Sequence, residues 1–310
     1  MNAALSSAGS LPGRPHASQA GAPQAGAPKR NAAQAHRLAL RRQWTNKLAM
    51  ILAIVATVAA LAALAWIIVT LLWLGLKGLT LKALFTATKA PGSHGGLANA
   101  IVGSLIQTAL GTALGTPIGL AVGTYLSEYA GRSALGTAVR FVSDILLSAP
   151  SILIGLFIFS VLVAPFGGFS GWAGSAALAV IVIPIVVRTT EDMLSLVPIS
   201  LREAAIALGA PRWKTILFVC YRAARDGILT GILLAVARVA GETAPLLFTS
   251  LGNSGYGGLG SAMASLPVTI YTYASSAFDD WVQLAWTGAL LITLGVLSIN
   301  IIARLAVRRR

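Results

Sequence analysis

Six apolar segments are the feature that most constrains how this chain folds. A helix of about 20 apolar residues crosses the hydrocarbon core of a bilayer. The segments lack the alternating pattern of barrel strands, so helix is the form that satisfies their backbone in lipid. The sequence therefore predicts an all-α polytopic membrane protein with six transmembrane helices, the fourth of them short. The segments lie at about 48–76, 99–124, 138–164, 173–188, 226–250 and 283–303.

Charged residues are sparse, and their distribution predicts the orientation. Only 10% of the residues are charged, against roughly a quarter in soluble domains. Nineteen of the 23 Lys and Arg residues lie in the N-terminal segment, the second and fourth loops and the C-terminal tail. Only Lys77, Lys82 and Lys89 lie in loops on the opposite side. The positive-inside rule predicts that both termini are cytoplasmic. The same bias explains the net charge of +14 without nucleic acid as a partner.

Motifs for enzyme chemistry are absent from the sequence. It contains no GxxxxGK[ST] phosphate loop, so the chain is not expected to hydrolyse ATP itself. It also contains no GxSxG or HExxH. His16, His36 and His94 lack the spacing of metal ligands. The single cysteine, Cys220, excludes an internal disulfide and is interpreted as a small buried apolar residue. We therefore predict a non-enzyme without a metal or cofactor.

Four regions are predicted along the chain. Residues 1–44, rich in Ala, Gly, Pro, Ser and Gln, are expected to form a disordered cytoplasmic extension. Residues 45–96 hold the first transmembrane helix and an external loop; this helix is too long for a signal peptide. Residues 97–305 form a core with five transmembrane helices. Within that core, 189–225 is a long cytoplasmic loop.

A ladder of glycines marks one face of the second segment. Glycines four residues apart remove the side chains from a helical face, so that another backbone can approach closely. The alternative is a glycine-rich helix that faces lipid. Pro117 interrupts the ladder and predicts a kink. The packing glycines are Gly111, Gly115, Gly119 and Gly123.

Two charged residues interrupt the fifth segment, in GILLAVARVAGETAPLLF at 231–248. Charged groups in hydrocarbon are expensive and usually functional. On a continuous helix Arg238 and Glu242 share a face, about 40° apart, and Gly227 and Gly231 lie within about 20° of that face. The pattern predicts that both charges point into a close helix interface in the bundle interior.

Two interpretations of this pair remain open. The first is a mutual salt bridge that makes the helix tolerable in the membrane. The second is a site on the path of an anion. The guanidinium fork of Arg238 suits a tetrahedral oxyanion. An ionised Glu242 only accepts hydrogen bonds, so it would accept one from protonated phosphate and repel sulfate. The two interpretations are compatible if phosphate replaces the bridge during transport.

The fourth loop contains a short helix, within VPISLREAAIALGAPRWKTILF at 197–218. Ser200 and Glu203 form a capping box, which predicts a helix start near Leu201. Gly209 suits the C-terminal cap, and Pro211 suits the first turn of a second helix.

This helix is too short to be stable alone, so it must pack against something. It could dock into a groove of another protein or pack as an ordinary loop on its own membrane domain. Two acids elsewhere are interpreted as solvated: Glu128 in a cytoplasmic turn, and Asp144 at the start of a helix. The exposed surface of the short helix would combine small and larger apolar residues: Ala204, Ala205, Ala207, Leu201, Ile206 and Leu208.

The motif Glu203-Ala204-Ala205, followed by Gly209, resembles the EAA loop of bacterial ABC importer permeases. The resemblance extends over about 45–305 and includes EAAIALGAPRWKTILF, DILLSAPSILIGLF and MASLPVTIYTYA. The EAA element identifies the superfamily. GETAPLLFTSLGN at 241–253 is more specific and is similar to phosphate permeases of the PstA type.

The resemblance implies a type I ABC importer permease fold in the bacterial inner membrane. It implies that Glu203, Ala204, Ala205 and Gly209 belong to a coupling helix, and that Arg238 and Glu242 affect phosphate passage. The implied partners are a homologous permease in a heterodimer, two copies of a cytoplasmic ATP-binding subunit and a periplasmic phosphate-binding protein.

The chain departs from the family pattern at two prolines, where Arg222 and Asp226 stand instead. Without them, the beginning of the fifth segment is expected to be more continuously helical. Three alternatives to a phosphate importer remain. They are a permease for another oxyanion such as sulfate or molybdate, an ion-driven secondary phosphate transporter, and a nontransporting scaffold or sensor.

Overall fold

The computed structural model describes residues 32–93, 95–131 and 133–308. This part of the chain is helical and contains no strand, which confirms the predicted all-α class. Three π-helical segments occur, at Leu126–Ala130, Phe159–Val163 and Thr215–Cys220. The α-helices are α1 (Ala32–Lys77), α2 (Leu81–Phe85), α3 (Ala98–Tyr125), α4 (Ala134–Ser148), α5 (Ser151–Ile158), α6 (Gly171–Ser195), α7 (Ile199–Ala207), α8 (Arg212–Lys214), α9 (Tyr221–Val239), α10 (Ala244–Thr249), α11 (Leu266–Ala274) and α12 (Asp279–Arg308).

The chain divides into two compact units, Met1–Ala63 and Leu64–Arg310. The described part of the first unit is the beginning of α1, and its side chains from 41 to 63 are exposed. The predicted disorder of 1–31 lies outside the described residues, as do His94 and Arg132. Residues 32–44 are helical and not disordered, because they are rich in Ala, Leu, Arg and Gln, which favour helix.

The structure does not confirm six spanning helices. Among the described residues, four helices are long and apolar enough to cross a membrane: Arg41–Lys77, Ala98–Ala130, Gly171–Ser195 and Asp279–Ile302. A fifth span results if α4 and the segment Ser151–Val163 count as one, although they are bent by 105°. Pro150 causes this bend, because proline disfavours helix at the preceding residue, and Ala149 is extended with ψ of 137°.

The predicted fifth span over 226–250 is also broken. α9 ends at Val239, and α10 begins at Ala244. Pro245 lies in the first turn of α10. In a continuous helix its ring would clash with the carbonyl of Gly241, four residues earlier. By contrast, α9 runs without interruption through the positions of the two missing prolines.

The glycines of α3 pack against α6. A Cβ atom at Gly111 would lie 2.7 Å from Cβ of Leu178, and one at Gly119 would lie 2.6 Å from Cβ of Val186. Gly115 and Gly123 are buried in the same way, against Val182 and Thr190. The two helices therefore approach more closely than side chains at these positions would allow. Pro117 lies within α3 without ending it.

α6 is the central helix of the second unit, and it extends beyond the predicted 173–188 at both ends. Gly227 and Gly231 of α9 meet Met193 and Thr189 of α6. A buried apolar cluster fills the space where α6 meets α9 and α10, with Leu178, Val182, Val186, Ala235, Val239 and Leu246 among its members. α3 and α9 thus both use glycines to approach the same helix.

The two ends of α3 hold different kinds of structure. At its start, the Asn99 amide donates to the backbone oxygen of Asn253 at 2.8 Å, which fastens the long loop before α11. At its other end, the π-helical segment Leu126–Ala130 meets the loop that contains α7. α3 has 28 residues, which places these ends about 42 Å apart. The distance matches the thickness of a bilayer with its interfaces.

Candidate functional site

The short helix α7 begins two residues before the predicted start. Its N-cap is Pro198, and no side chain caps its first turn. Ser200 is already the second helical residue, so the predicted capping box with Glu203 is wrong. Pro198 has a fixed φ of −56°, which directs the chain into the helix without a side-chain cap.

The end of α7 is a glycine cap, as the sequence indicates. Gly209 has a φ of +81°, the left-handed conformation that glycine adopts most readily. Its N–H donates to Ile206 O at 2.9 Å, and the Ala210 N–H donates to Ala205 O at 3.1 Å. These two bonds form a Schellman motif that satisfies the last carbonyls of the helix. Pro211 is the N-cap of α8 and precedes its first turn.

Replacing Gly209 tests this cap. A Gly209→Ala substitution introduces strain of about 1 kcal/mol, because an L side chain disfavours the left-handed region. We expect amide hydrogen exchange in the peptide 205–211 to accelerate about fivefold. Gly209→Asn is the matched control, since asparagine tolerates this conformation better, and it should accelerate exchange less. Equal exchange in the wild type and the alanine variant would contradict the assignment.

α7 presents a mixed small and apolar surface to solvent. Glu203 and Ala204 are exposed, whereas Ala205 is buried against the chain. Two larger apolar side chains next to them are also open: Ile206 is 57% exposed and Leu208 is 89% exposed. Exposed apolar side chains grouped on one helix are typical of an interaction surface.

A buried ion pair fixes α7 to the end of α3. The Arg202 guanidinium donates through Nη1 to both carboxylate oxygens of Glu128, 74 residues earlier in the chain. Its Nη2 donates to the backbone oxygen of Leu194 at 2.7 Å. Only 5% of the Glu128 side chain is exposed. The hydrogen bond to Glu128 raises the pKa of Arg202, so the guanidinium stays charged.

The prediction that Glu128 is solvated is therefore wrong. Glu128 lies in the π-helical segment that continues α3, and not in an open turn. The Arg212 guanidinium also donates to the backbone oxygen of Glu128, at 2.7 Å, and lies over the Tyr129 ring. Sequence spacing gives no sign of these contacts, because the partners are far apart in the chain.

A second ion pair lies at the same end of α3. Arg140 of α4 donates through Nε to Glu191 of α6 at 2.6 Å. Its two other nitrogens donate to the backbone oxygens of Leu126 and Gly131. This pair connects α4 and α6 to the π-helical segment without touching α7. It therefore provides a natural comparison for the Arg202–Glu128 pair.

The two charges of the fifth segment lie beside the helix break. Arg238 is in the last turn of α9 and is exposed; Glu242 follows in the break and is partly exposed. None of the three ion pairs among the described residues includes either of them. The predicted shared helical face is absent because α9 ends at Val239. Arg238 is instead close to the carbonyl end of α9, where a cation is stabilised.

Asp144 does not begin a helix. It is the eleventh residue of the 15-residue helix α4 and is exposed. The predicted role at a helix start is therefore wrong, because α4 begins at Ala134, ten residues before Asp144.

Comparison with known proteins identifies relatives over most of the chain. A family model described as "Binding-protein-dependent transport system inner membrane component" matches residues 115–310. A phosphate transport system permease protein PstA from Pasteurella multocida is 52% identical over 265 residues, covering 85% of this chain and 95% of that protein. The protein of the same name from Haemophilus influenzae is 53% identical over 265 residues, covering 85% and 94%. PstA 1 from Mycobacterium tuberculosis is 37% identical over 287 residues, covering 88% and 93%.

Solved structures share the fold at low sequence identity. The inward-facing MetNI methionine ABC transporter matches with a TM-score of 0.57 and 21% identity, covering 69% of this chain and 95% of that chain. An amino acid ABC transporter crystallised with histidines matches with a TM-score of 0.52 and 18% identity, covering 68% and 92%. The chain therefore has the architecture of ABC transporter permeases.

Proposed function

The chain belongs to the binding-protein-dependent transport system inner membrane components and, among them, to the phosphate permeases of the PstA type, and we propose that it forms part of the path of phosphate across the inner membrane. It is the permease subunit of a phosphate ABC importer, and a separate subunit carries the ATPase activity. The observation that carries this conclusion is the identity of about one half over nearly the whole length of PstA proteins. Permeation of sulfate or molybdate, and ion-driven transport, are not favoured.

The coupling contact with the ATPase is assigned to α7. Three properties support this assignment: the helix is short, its surface carries the exposed Ala204, Ile206 and Leu208, and its inner side is fixed by Arg202. A small residue such as Ala204 lets a partner approach the helix backbone. An isolated helix of nine residues would not hold its shape, so the ion pair and the glycine cap preorganise it for docking.

The phosphate contact is assigned to Arg238 and Glu242. Neither charge is neutralised by an ion pair in the described chain, so both are available to a ligand. Arg238 offers a planar fork of donors to the phosphate oxygens. Glu242 accepts a hydrogen bond from protonated phosphate and repels fully ionised sulfate. Both side chains lie beside the break between α9 and α10, where an anion would meet them together.

The family implies an ATPase and a substrate-binding protein as partners. We extend this to a complete assembly: a homologous second permease in a heterodimer, two copies of the ATPase, and a periplasmic phosphate-binding protein. The excess of Lys and Arg on one side supports a cytoplasmic location for both termini, on the side where α7 would meet the ATPase.

Reconstitution tests this function directly. The chain is assembled in proteoliposomes with the second permease, the ATPase and the binding protein, and uptake of labelled phosphate is measured with and without ATP. We expect uptake that requires both ATP and this chain and that excess sulfate or molybdate does not reduce. Uptake by this chain alone, driven by an ion gradient and indifferent to ATP, would contradict the assignment.

A further inference from the structure

We propose that Glu128 is the positioning residue that joins the coupling helix to the transmembrane domain, so that a displacement of α7 is transmitted to α3. This inference rests on the proposed docking of the ATPase on α7. It concerns a residue outside the EAA motif and outside the charged pair at the helix break. It assigns a mechanical role to the buried carboxylate.

The contacts of Glu128 hold α7 from both sides. Its carboxylate accepts hydrogen bonds from Arg202, in the first half of α7. Its backbone oxygen accepts a hydrogen bond from Arg212, which follows the glycine cap of the same helix. The exposed surface with Ala204 and Leu208 lies between these two arginines in the chain. A force applied to that surface therefore reaches Glu128 through both arginines.

Glu128 is in turn part of the continuous helix that α3 begins. The π-helical segment that contains it continues α3 directly, since the Leu126 N–H donates to the carbonyls of Val122 and Gly123. α3 is held against α6 by its four buried glycines. Close-packed helices move as units and do not deform continuously. A displacement received by Glu128 is thus carried along α3 toward the opposite end of the domain.

Burial makes each charge of the Arg202–Glu128 pair dependent on the other. The Glu128 side chain is 5% exposed, and the Arg202 side chain is 21% exposed. Water does not replace a buried partner as it does at the surface, so loss of one charge leaves the other unpaired. Arg202 also donates to the backbone oxygen of Leu194, but that residue lies at the end of α6, which leads directly into α7. The contact with Glu128 is therefore the one that joins α7 to α3.

The first test is Glu128→Gln in the complete reconstituted transporter. The variant keeps the size of the side chain but removes its charge and one acceptor oxygen. We expect the number of phosphate ions transported per ATP hydrolysed to fall at least tenfold, while the ATPase still co-purifies in its normal proportion. Retention of the ATPase shows that the loss lies in coupling and not in assembly. The docking proposal has its own test, Ala204→Trp, which leaves the ATPase bound if α7 is not the contact. A wild-type transport ratio would overturn the role of Glu128.

Glu191→Gln is the matched control. It removes the carboxylate of the other ion pair at the same end, which joins α4 and α6 and does not touch α7. We expect the transport ratio of this variant to stay within twofold of the wild type. An equal loss in both variants would overturn the proposal, because it would show a general effect of ion-pair removal.

A covalent cross-link in place of the ion pair tests the role of Glu128 even if the transporter with Glu128→Gln fails to assemble. Cys220 is the only cysteine of the chain, so a Cys220→Ala background leaves no other thiol. In it, Glu128→Cys and Arg202→Cys are joined by a short reducible bifunctional thiol reagent. We expect the transport ratio to recover at least fivefold on cross-linking and to fall again on reduction. A fully cross-linked transporter that stays uncoupled would overturn the proposal.

Discussion

An Ala204→Trp substitution is expected to release the ATPase and to reduce ATP-driven phosphate uptake roughly 100-fold, the effect of a lost interface hot spot. Ala204 is exposed on α7, so the larger side chain does not disturb the packing of this chain. It would instead fill the space that the partner needs to approach the helix. Co-purification of the ATPase with the permease, together with uptake in proteoliposomes, measures the result.

Ala138→Trp is the control for this prediction. Ala138 is exposed on α4, which is tied to the same end of α3 but is not part of the proposed docking surface. The control should retain both the ATPase and its uptake. Normal uptake by the Ala204→Trp transporter with the ATPase still bound would show that this part of α7 does not form the contact.

An Arg238→Ala substitution is expected to reduce uptake by about 100-fold while the ATPase remains bound, because removing one partner of a charge-assisted contact costs about 2–5 kcal/mol. The loss should appear in phosphate transport and not in assembly. Arg225→Ala is the matched control, since Arg225 is an exposed arginine of the same helix, far from the break. It should transport phosphate normally.

Glu242→Gln separates the two interpretations of the charged pair. If Glu242 rejects ionised anions, the neutral variant should admit sulfate, and excess sulfate should then compete with labelled phosphate. If the two charges only neutralised each other, phosphate uptake would fall in Arg238→Ala and in Glu242→Gln. The double variant would then recover uptake. Unchanged phosphate uptake in Arg238→Ala would remove this residue from the path.

The sequence predicts the fold well where the signal is local. Apolar segments predict the long helices, and the four-residue glycine spacing indicates a face for close packing, against which the structure places α6. The sequence also predicts the glycine cap at Gly209, because glycine after a run of helix formers is typical of a cap. Hydropathy does not predict the two helix breaks, although Pro150 and Pro245 mark them, because it does not distinguish a broken segment from a continuous one.

The contacts between distant parts of the chain could not be predicted. Glu128 and Arg202 are 74 residues apart, and each alone looks like an ordinary charge in a polar loop. Only the packing of α3 on α6 and the path of the loop bring them together. The same holds for Arg238 and Glu242, whose relation depends on where α9 ends. Pairing by helical spacing fails once the helix stops between the partners.

The interruption between α9 and α10 restricts what surrounds the chain in the bilayer. The backbone N–H groups of Gly241 and Thr243 donate to no protein atom in the described residues. Acyl chains offer no acceptor, and a bare peptide group in hydrocarbon costs several kcal/mol. These amides must therefore meet water or a second polypeptide. Lipid is excluded from this stretch, so this side of the permease is covered by water or by another chain even when no substrate is present.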